Sequence, residues 1–278
     1  METTQIIFSI NVHENIEFLI KQIKNINDFV SLDYIIILNA NKLMYNKISN
    51  CKFINSQENN IILYPKYLDK RRYHGSLTEG IYNNMKYALN NYNFKYFIVL
   101  SSRNLFYNHL NNTEKIKALS LRPAAELGGA MTVNGGGGWA GTYKQLLERY
   151  AVNNRLRPKK SWHWLDYKDR KGRTRRGGLL KTKLSKYVKE NNLNFAVSPH
   201  EGLTFNYNSC LKIIEFLDNN PDIKTNLFKF CNCVEEFALQ TICVNSGDYF
   251  CYIGNGSHTD IRKKKVLKER YVYKTLRK

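Results

Sequence analysis

The stretch Thr4–Ala40, TQIIFSINVHENIEFLIKQIKNINDFVSLDYIIILNA, decides the fold. TQIIFSINV reads as a buried strand, NIEFLIKQIKNI as an amphipathic helix, and DYIIILNA as a second buried strand. Further along, SLTEGIYNNMKYALNNY reads as a helix, with Ser76 as N-cap and Glu79 at the capping-box position, and leads into a third strand, KYFIVLS. Strand, helix, strand, helix, strand predicts an α/β fold on a parallel sheet covered on both faces, with ligands beyond the carboxyl ends of the strands. Those ends are Ser9–Asn15, Leu38–Lys42 and Leu100–Asn104.

The chain has 278 residues, 43% of them hydrophobic and 13% aromatic, which predicts a globular domain with a substantial core. Its net charge is +20, with positive residues concentrated in Arg155–Lys183 and Asp260–Lys278, and such a balance favours polyanions or phosphorylated ligands. The N-terminus lacks a signal-peptide pattern, and no apolar run approaches the ~20 residues that span a bilayer, so no stable membrane insertion and a cytoplasmic location are expected. The six cysteines contain no repeated C-x-x-C pair and read as buried reduced thiols.

From Ala118 the composition shifts toward Ala, Gly, Leu and Arg, which marks a basic, loop-rich insertion forming one wall of a cleft. One domain, 1–278, is expected, with the strand-and-helix, ligand-binding half at 1–116, the insertion at 117–193, and a second half with a basic tail at 194–278. After the insertion, LSKYVKENN reads as a helix, LNFAVSP as extended, SCLKIIEFLDNN as a helix stopped before Pro221, and DYFCYIG as a strand. Within the insertion, Gly136-x-Gly138-x-x-Gly141 matches a dinucleotide fingerprint in form, but no βαβ unit follows, and a flexible turn is the better reading. Trp162 and Trp164 could stack on sugar rings or simply pack.

His13-Glu14 and His200-Glu201 do not continue as H-E-x-x-H, which excludes that class of zinc protease, and there is no G-x-S-x-G elbow. Nor does the chain contain Asp-x-Asp, the carboxylate pair that often holds a nucleotide diphosphate through a divalent ion. A bound diphosphate would then need Lys, Arg and backbone amides, which the GNG turn and Arg262, Lys263, Lys264, Lys265 and Lys268 could supply. In CVEEFALQTI (233–242), Asn232 is placed to cap a helix with Glu235 at N3. Val234, Phe237, Ala238, Thr241 and Ile242 then form the buried stripe, and Glu236, beside the core edge, is the candidate general base.

In this order the pieces resemble the core-2/I-branching glycosyltransferases, the group of β-1,6-N-acetylglucosaminyltransferases and peptide-O-xylosyltransferases. The resemblance rests on FSINVHENIEFLIKQI, on HGSLTEGIYNNMKYALNNYNFKYFIVLSSRN, and on Glu235-Glu236-Phe237-Ala238-Leu239-Gln240-Thr241-Ile242 followed by YIGNG. It covers most of 5–110 and 194–265. It implies a GT-A fold and inverting, metal-independent transfer of a sugar, xylose or N-acetylglucosamine, from a UDP-sugar donor to a hydroxyl of a glycan or glycoprotein, with no cofactor. Glu236 matches the family's catalytic base. Val12, His13, Asn39, Ser76, Ser101, Ser102, Arg103 and Asn104 are expected to ring the nucleotide, the tail cations to meet the diphosphate, and Trp162, Trp164, His200 and Glu201 to face the acceptor. A cytoplasmic viral or bacterial enzyme is the form expected. Two competing readings remain: a basic nucleic-acid-binding protein, and a metal-dependent enzyme with Asp166 and Asp169 as ligands.

Overall fold

The structure, a computed structural model, describes residues 2–13, 15–56, 60–69, 74–123, 131–133, 138–146, 148, 167–168, 174–175, 179–230, 234–254 and 271–274. The strands are β1 (Glu2–Val12), β2 (Tyr34–Ala40), β3 (Ile61–Leu63), β4 (Tyr92–Ser101), β5 (Asn104–Phe106), β6 (Leu121–Pro123) and β7 (Met131–Val133). They continue with β8 (Trp139–Thr142), β9 (Tyr167–Lys168), β10 (Thr174–Arg175), β11 (Asn194–Val197), β12 (Leu203–Asn206), β13 (Phe250–Tyr252) and β14 (Val272–Lys274). Six form the central sheet in the order β13-β12-β4-β1-β2-β3. The four strands β4-β1-β2-β3 are mutually parallel, as the alternation of strand and helix predicts. At the other edge β12 runs antiparallel to β4, and β13 antiparallel to β12. The fold is therefore mixed α/β, on a mostly parallel sheet flanked by helices.

The apolar strands are buried on both faces, and their alternation separates two cores. Ile7, Ile35, Ile37, Phe97 and Val99 point to one side, against the helices Ser76–Asn91, Tyr207–Asn219 and Ala238–Asn245. Ile6, Phe8, Ile10, Val12, Ile36, Leu38, Ile98 and Leu100 point to the other, against the helices Ile16–Phe29 and Lys42–Ser49. A strand covered twice needs apolar residues at successive positions, as at Ile6–Phe8 and Ile35–Leu38, while the polar Ser9 and Asn11 are buried with hydrogen bonds to Asn84 and the Leu77 carbonyl.

Several sequence expectations hold at the level of individual elements. The helix Ile16–Phe29 is capped by Asn15, whose side chain accepts from Phe18 N, and the helices Lys183–Glu190 and Tyr207–Asn219 form where periodicity placed them. Cys210 and Cys243 are buried free thiols, Cys251 is buried, Cys51 is half-buried, and Cys231 and Cys233 lie outside the described residues; burial pushes the Cys210 thiol up. Among the described residues no helix is long and apolar enough to cross a membrane.

Others differ. Ser76 is not a cap. Gly75 occupies that position with no side-chain cap, and the Ser76 N–H donates to His74 Nδ1 at 3.1 Å. Only glycine fits at 75, because a Cβ there would meet the Leu227 carbonyl oxygen at 1.8 Å. Pro221 stops one helix but also starts another, Pro221–Lys229, as the first-turn position without an N–H requirement allows. The insertion contributes β6, β7 and β8, which join β11 in a four-stranded sheet of order β11-β8-β7-β6. Gly141 lies in β8, paired with Phe195, and so does not open a phosphate-binding helix.

Asp218 at the end of the helix Tyr207–Asn219 ties three elements together. Lys86 and Lys224 each donate to its carboxylate at 2.7 Å, and the Tyr82 hydroxyl donates as well. Burial pushes this carboxyl up, but the hydrogen bonds from Lys224, Lys86 and Tyr82 outweigh it and hold the group well below the ordinary Asp value of 3.8. A carboxyl depressed in the folded state stabilises fully above its unfolded value and loses that contribution as the pH falls toward the folded one. Urea midpoints measured from about pH 5 down to about pH 2 should therefore fall more steeply for the native chain than for Asp218→Asn. Parallel curves would show that the cluster adds nothing.

Candidate functional site

The carboxyl ends of the parallel strands bring Asn11, Val12 and His13, then Asn39, then Ser101–Asn104 to one rim. Asn11 and Asn39 are register partners on β1 and β2, and both are buried. Val12 is buried with them, whereas His13 is exposed, its Nδ1 donating to the Asn11 carbonyl at 3.2 Å. The Asn11 amide donates to the Leu77 carbonyl at 2.9 Å, which anchors the start of the helix Ser76–Asn91, and hence the buried Ser76, at the end of β1.

The Ser101–Asn104 turn is built by its own polar groups. Asn104 Oδ1 accepts from Ser101 N at 2.6 Å, its Nδ2 donates to the Tyr273 carbonyl at 3.3 Å, and the buried Gln22 amide donates to the carbonyls of Ser101 and Asn104. These bonds satisfy a sharp reversal between β4 and β5. They occupy the Asn104 side chain inside the turn. Ser102 is buried and Arg103 half-buried.

The second wall comes from the segment that opens with two carboxylates. Val234, Phe237, Ala238, Thr241 and Ile242 are all buried, as the predicted stripe requires. The local structure corrects the capping box: Val234–Glu236 is a 3₁₀ turn, the α-helix starts only at Ala238, and its N-cap position, Phe237, offers no side-chain cap. Glu235 is therefore not at N3, and Asn232 lies outside the described residues. Instead Glu235 is 2% exposed, and its Oε2 has no hydrogen-bond partner among the described residues. Burial pushes its carboxyl up to about 7; His200 pulls it down, while Glu236 and Glu201 add to the rise.

Glu236 is 8% exposed. Its neighbourhood is stitched to the end of β11. Ser198 N donates to the Glu236 carbonyl at 3.0 Å, and the fully buried Gln240 amide donates to Glu235 O, Ser198 O and Ser198 Oγ at 3.1, 3.3 and 3.2 Å. Thr241 Oγ1 exchanges 3.0 Å bonds with the N–H and carbonyl of Ala196. This lattice holds the β11–β12 connection, Ser198-Pro199-His200-Glu201, over the turn. His200 Nδ1 stands 3.8 Å from Glu236 Oε1 and its Nε2 3.6 Å from Glu201 Oε1, with all three side chains less than one-fifth exposed.

The structure thus brings Glu236, His200 and Glu201 together and gathers Val12, His13, Asn39, Ser76 and Ser101–Asn104 at the strand ends. Trp162, Trp164, Asp166, Asp169, Arg262, Lys263, Lys264, Lys265 and Lys268 lie outside the described residues. Sequence reasoning missed Glu235 as a buried member of the site, and Ser198 and Gln240 as the groups that hold it. The signal available was polar Gln240 and Thr241 inside the apolar run FALQTI, since buried amides and hydroxyls need fixed partners.

Chemically, the arrangement offers carboxylates that can take a proton, an imidazole that can donate or ligate, and a rim of buried amides and hydroxyls. No protein-family model matches the chain, and no curated protein matches it in sequence. Among solved structures it is similar to core-mannan synthase A from Aspergillus fumigatus in its Mn/GDP form, over 87% of this chain and 70% of that one, at 12% identity and a TM-score of 0.38. No residue role is carried over from that likeness.

Proposed function

We propose that the protein is a glycosyltransferase of the GT-A type that moves a sugar from a nucleotide-sugar donor to a hydroxyl of a glycan or glycoprotein, in the manner of the core-2/I-branching group. The observation that carries the reading is Glu236. The carboxylate singled out by the Glu-Glu-x-x-x-x-Thr-Ile pattern lies largely buried beside His200, on a turn braced against the β11–β12 connection. An inverting transfer needs one general base. Glu236 takes the proton from the acceptor hydroxyl, the oxygen attacks the anomeric carbon in line, the glycosidic bond to the diphosphate breaks, and the nucleoside diphosphate leaves with the electron pair.

UDP-xylose and UDP-N-acetylglucosamine are the donors favoured by the resemblance, and the nucleotide is assigned to the rim from Asn11 to Asn104. Cations of the tail, Arg262 and Lys263–Lys265 with Lys268, are assigned to the leaving diphosphate. The enzyme is taken to act in the cytoplasm.

A thermal-shift screen with UDP, GDP, ADP and CMP compounds tests the donor assignment. UDP and its sugars should raise the melting temperature, by the equivalent of ~2.7 kcal/mol at a hundredfold excess over Kd. A chain indifferent to every nucleotide, but bound by DNA or RNA with a steep salt dependence, would be the basic nucleic-acid-binding protein instead.

A further inference from the structure

We infer that the Tyr67 ring is the stacking face for the base of a nucleotide lying along the carboxyl rim of the sheet, with its phosphates toward the turn after β4. The inference rests on the nucleotide-sugar reading for the presence of a base. Strand order fixes where a ligand enters. From β1 the chain lays β2 and β3 on one side and β4 on the other, so the crevice opens between the ends of β1 and β4. Neighbouring strands stand about 4.8 Å apart, so the end of β3 lies about 10 Å from that of β1.

The two ends of that path differ in chemistry. At β4, Ser101 and Ser102 are 7% and 2% exposed, their Oγ atoms have no hydrogen-bond partner among the described residues, and Arg103 follows them. Hydroxyls and a guanidinium suit phosphate oxygens. At β2 and β3 the rim is apolar and aromatic instead. Leu43, Tyr67 and Leu211 are the exposed large hydrophobic side chains among the described residues, and the first two belong to this rim. Leu43 lies in the first turn of the helix Lys42–Ser49, directly after β2, and Tyr67 in the segment that follows β3.

A singly exposed aromatic is ordinary, but this one is held in place. Tyr64 N donates to Leu38 O and Leu68 N to Ala40 O, both at 2.9 Å, which ties the chain on either side of Tyr67 to the end of β2. The Tyr45 hydroxyl donates to Pro65 O at 3.3 Å, and the Tyr45 and Tyr67 rings meet edge to face with centroids 6.3 Å apart. Lys42 Nζ stands 5.8 Å from the Tyr67 ring centroid. These contacts fix the ring and still leave the residue half exposed. A fixed ring loses little entropy when a base stacks on it, and every base has a π face, so the contact does not depend on which base the donor carries.

The test is calorimetric titration of the full-length protein with UDP, GDP and pyrophosphate, read on whichever nucleotide the native chain binds more tightly. Tyr67→Ala should weaken nucleotide binding about tenfold, Tyr67→Phe should keep the native affinity, and pyrophosphate binding should be the same in all three. Tyr67→Leu keeps the apolar bulk beside Tyr45 and gives the same comparison should Tyr67→Ala not fold. Native nucleotide affinity in a folded variant without the ring, or an equal loss for pyrophosphate, overturns the Tyr67 assignment and leaves the transferase reading standing. A native chain that binds neither UDP nor GDP overturns both.

Discussion

Replacing Glu236 by Gln is expected to slow sugar transfer by ~10²–10⁴-fold while leaving nucleotide binding nearly intact, the range for removing a general base. Gln keeps the size and shape of the side chain, so the turn that Ser198 and Gln240 brace should survive the change. What is lost is the ability to accept the acceptor's proton as the new bond forms. The defect therefore belongs in kcat, measured with saturating donor and acceptor, and the UDP-induced thermal shift should match that of the native chain. Glu235→Gln provides the contrast. Burial already favours the neutral form of that carboxyl, so a neutral amide in its place should slow transfer far less. Equal losses from the two substitutions, or full activity in Glu236→Gln, would remove Glu236 from the chemistry.

The second large effect is expected at Gly202, the residue that joins Glu201 to β12. Its φ is +94°, and a Cβ there would stand 2.5 Å from Gly254 N and 2.8 Å from Gly254 Cα. Neither backbone can yield easily. Gly202 N donates to Val99 O at 2.8 Å, Ile253 N donates to Gly202 O at 2.9 Å, and these bonds hold the residue between β4 and β13. Gly202→Ala adds left-handed strain of ~1–2 kcal/mol to a forced backbone shift of ~1–3 kcal/mol, a loss of about 3 kcal/mol or more. At this chain length the melting temperature should fall by on the order of 10 °C. Gly247 is the matched control: its φ is +72°, but nothing lies within 4 Å of a Cβ there. Gly247→Ala should then show the strain alone, and similar losses at both positions would mean that the approach of Gly202 to Gly254 is not what constrains the connection.

Most of the central architecture could be read from residue patterns because its cause is local. Successive apolar positions such as Ile6–Phe8, Ile35–Leu38 and Phe97–Leu100 follow from strands covered on both faces, and the helices Ile16–Phe29 and Lys42–Ser49 carry their own caps, Asn15 and Asn41. The Glu-Glu-x-x-x-x-Thr-Ile pattern marked the segment that forms the 3₁₀ turn, and His200 and Glu201, named with it as candidates, stand beside Glu236. Errors arose where tertiary contacts outweighed local preference. Ser76 has a capping residue's chemistry, yet the close approach of Gly75 to Leu227 O sets the helix start, and the Ser76 N–H donates to His74 Nδ1. LTFN is too short to declare a strand or its direction, and β12 becomes antiparallel only because β4 and β13 offer edges on either side.

Glu235 shows the same division most clearly. In CVEEFALQTI two adjacent glutamates invite the assignment of one to a helix cap and the other to chemistry, because sequence carries spacing but not burial. The amino-acid sequence alone determined the order of strands and helices, the two-sided core and the carboxylate pair, since periodicity and composition act over neighbouring residues. Only the tertiary structure decided that both carboxylates are buried, and that His200 and Glu201, some thirty-five residues earlier in the chain, close on them. That decision rests on long-range hydrogen bonds from Ser198, Gln240 and Thr241, whose partners no local pattern specifies.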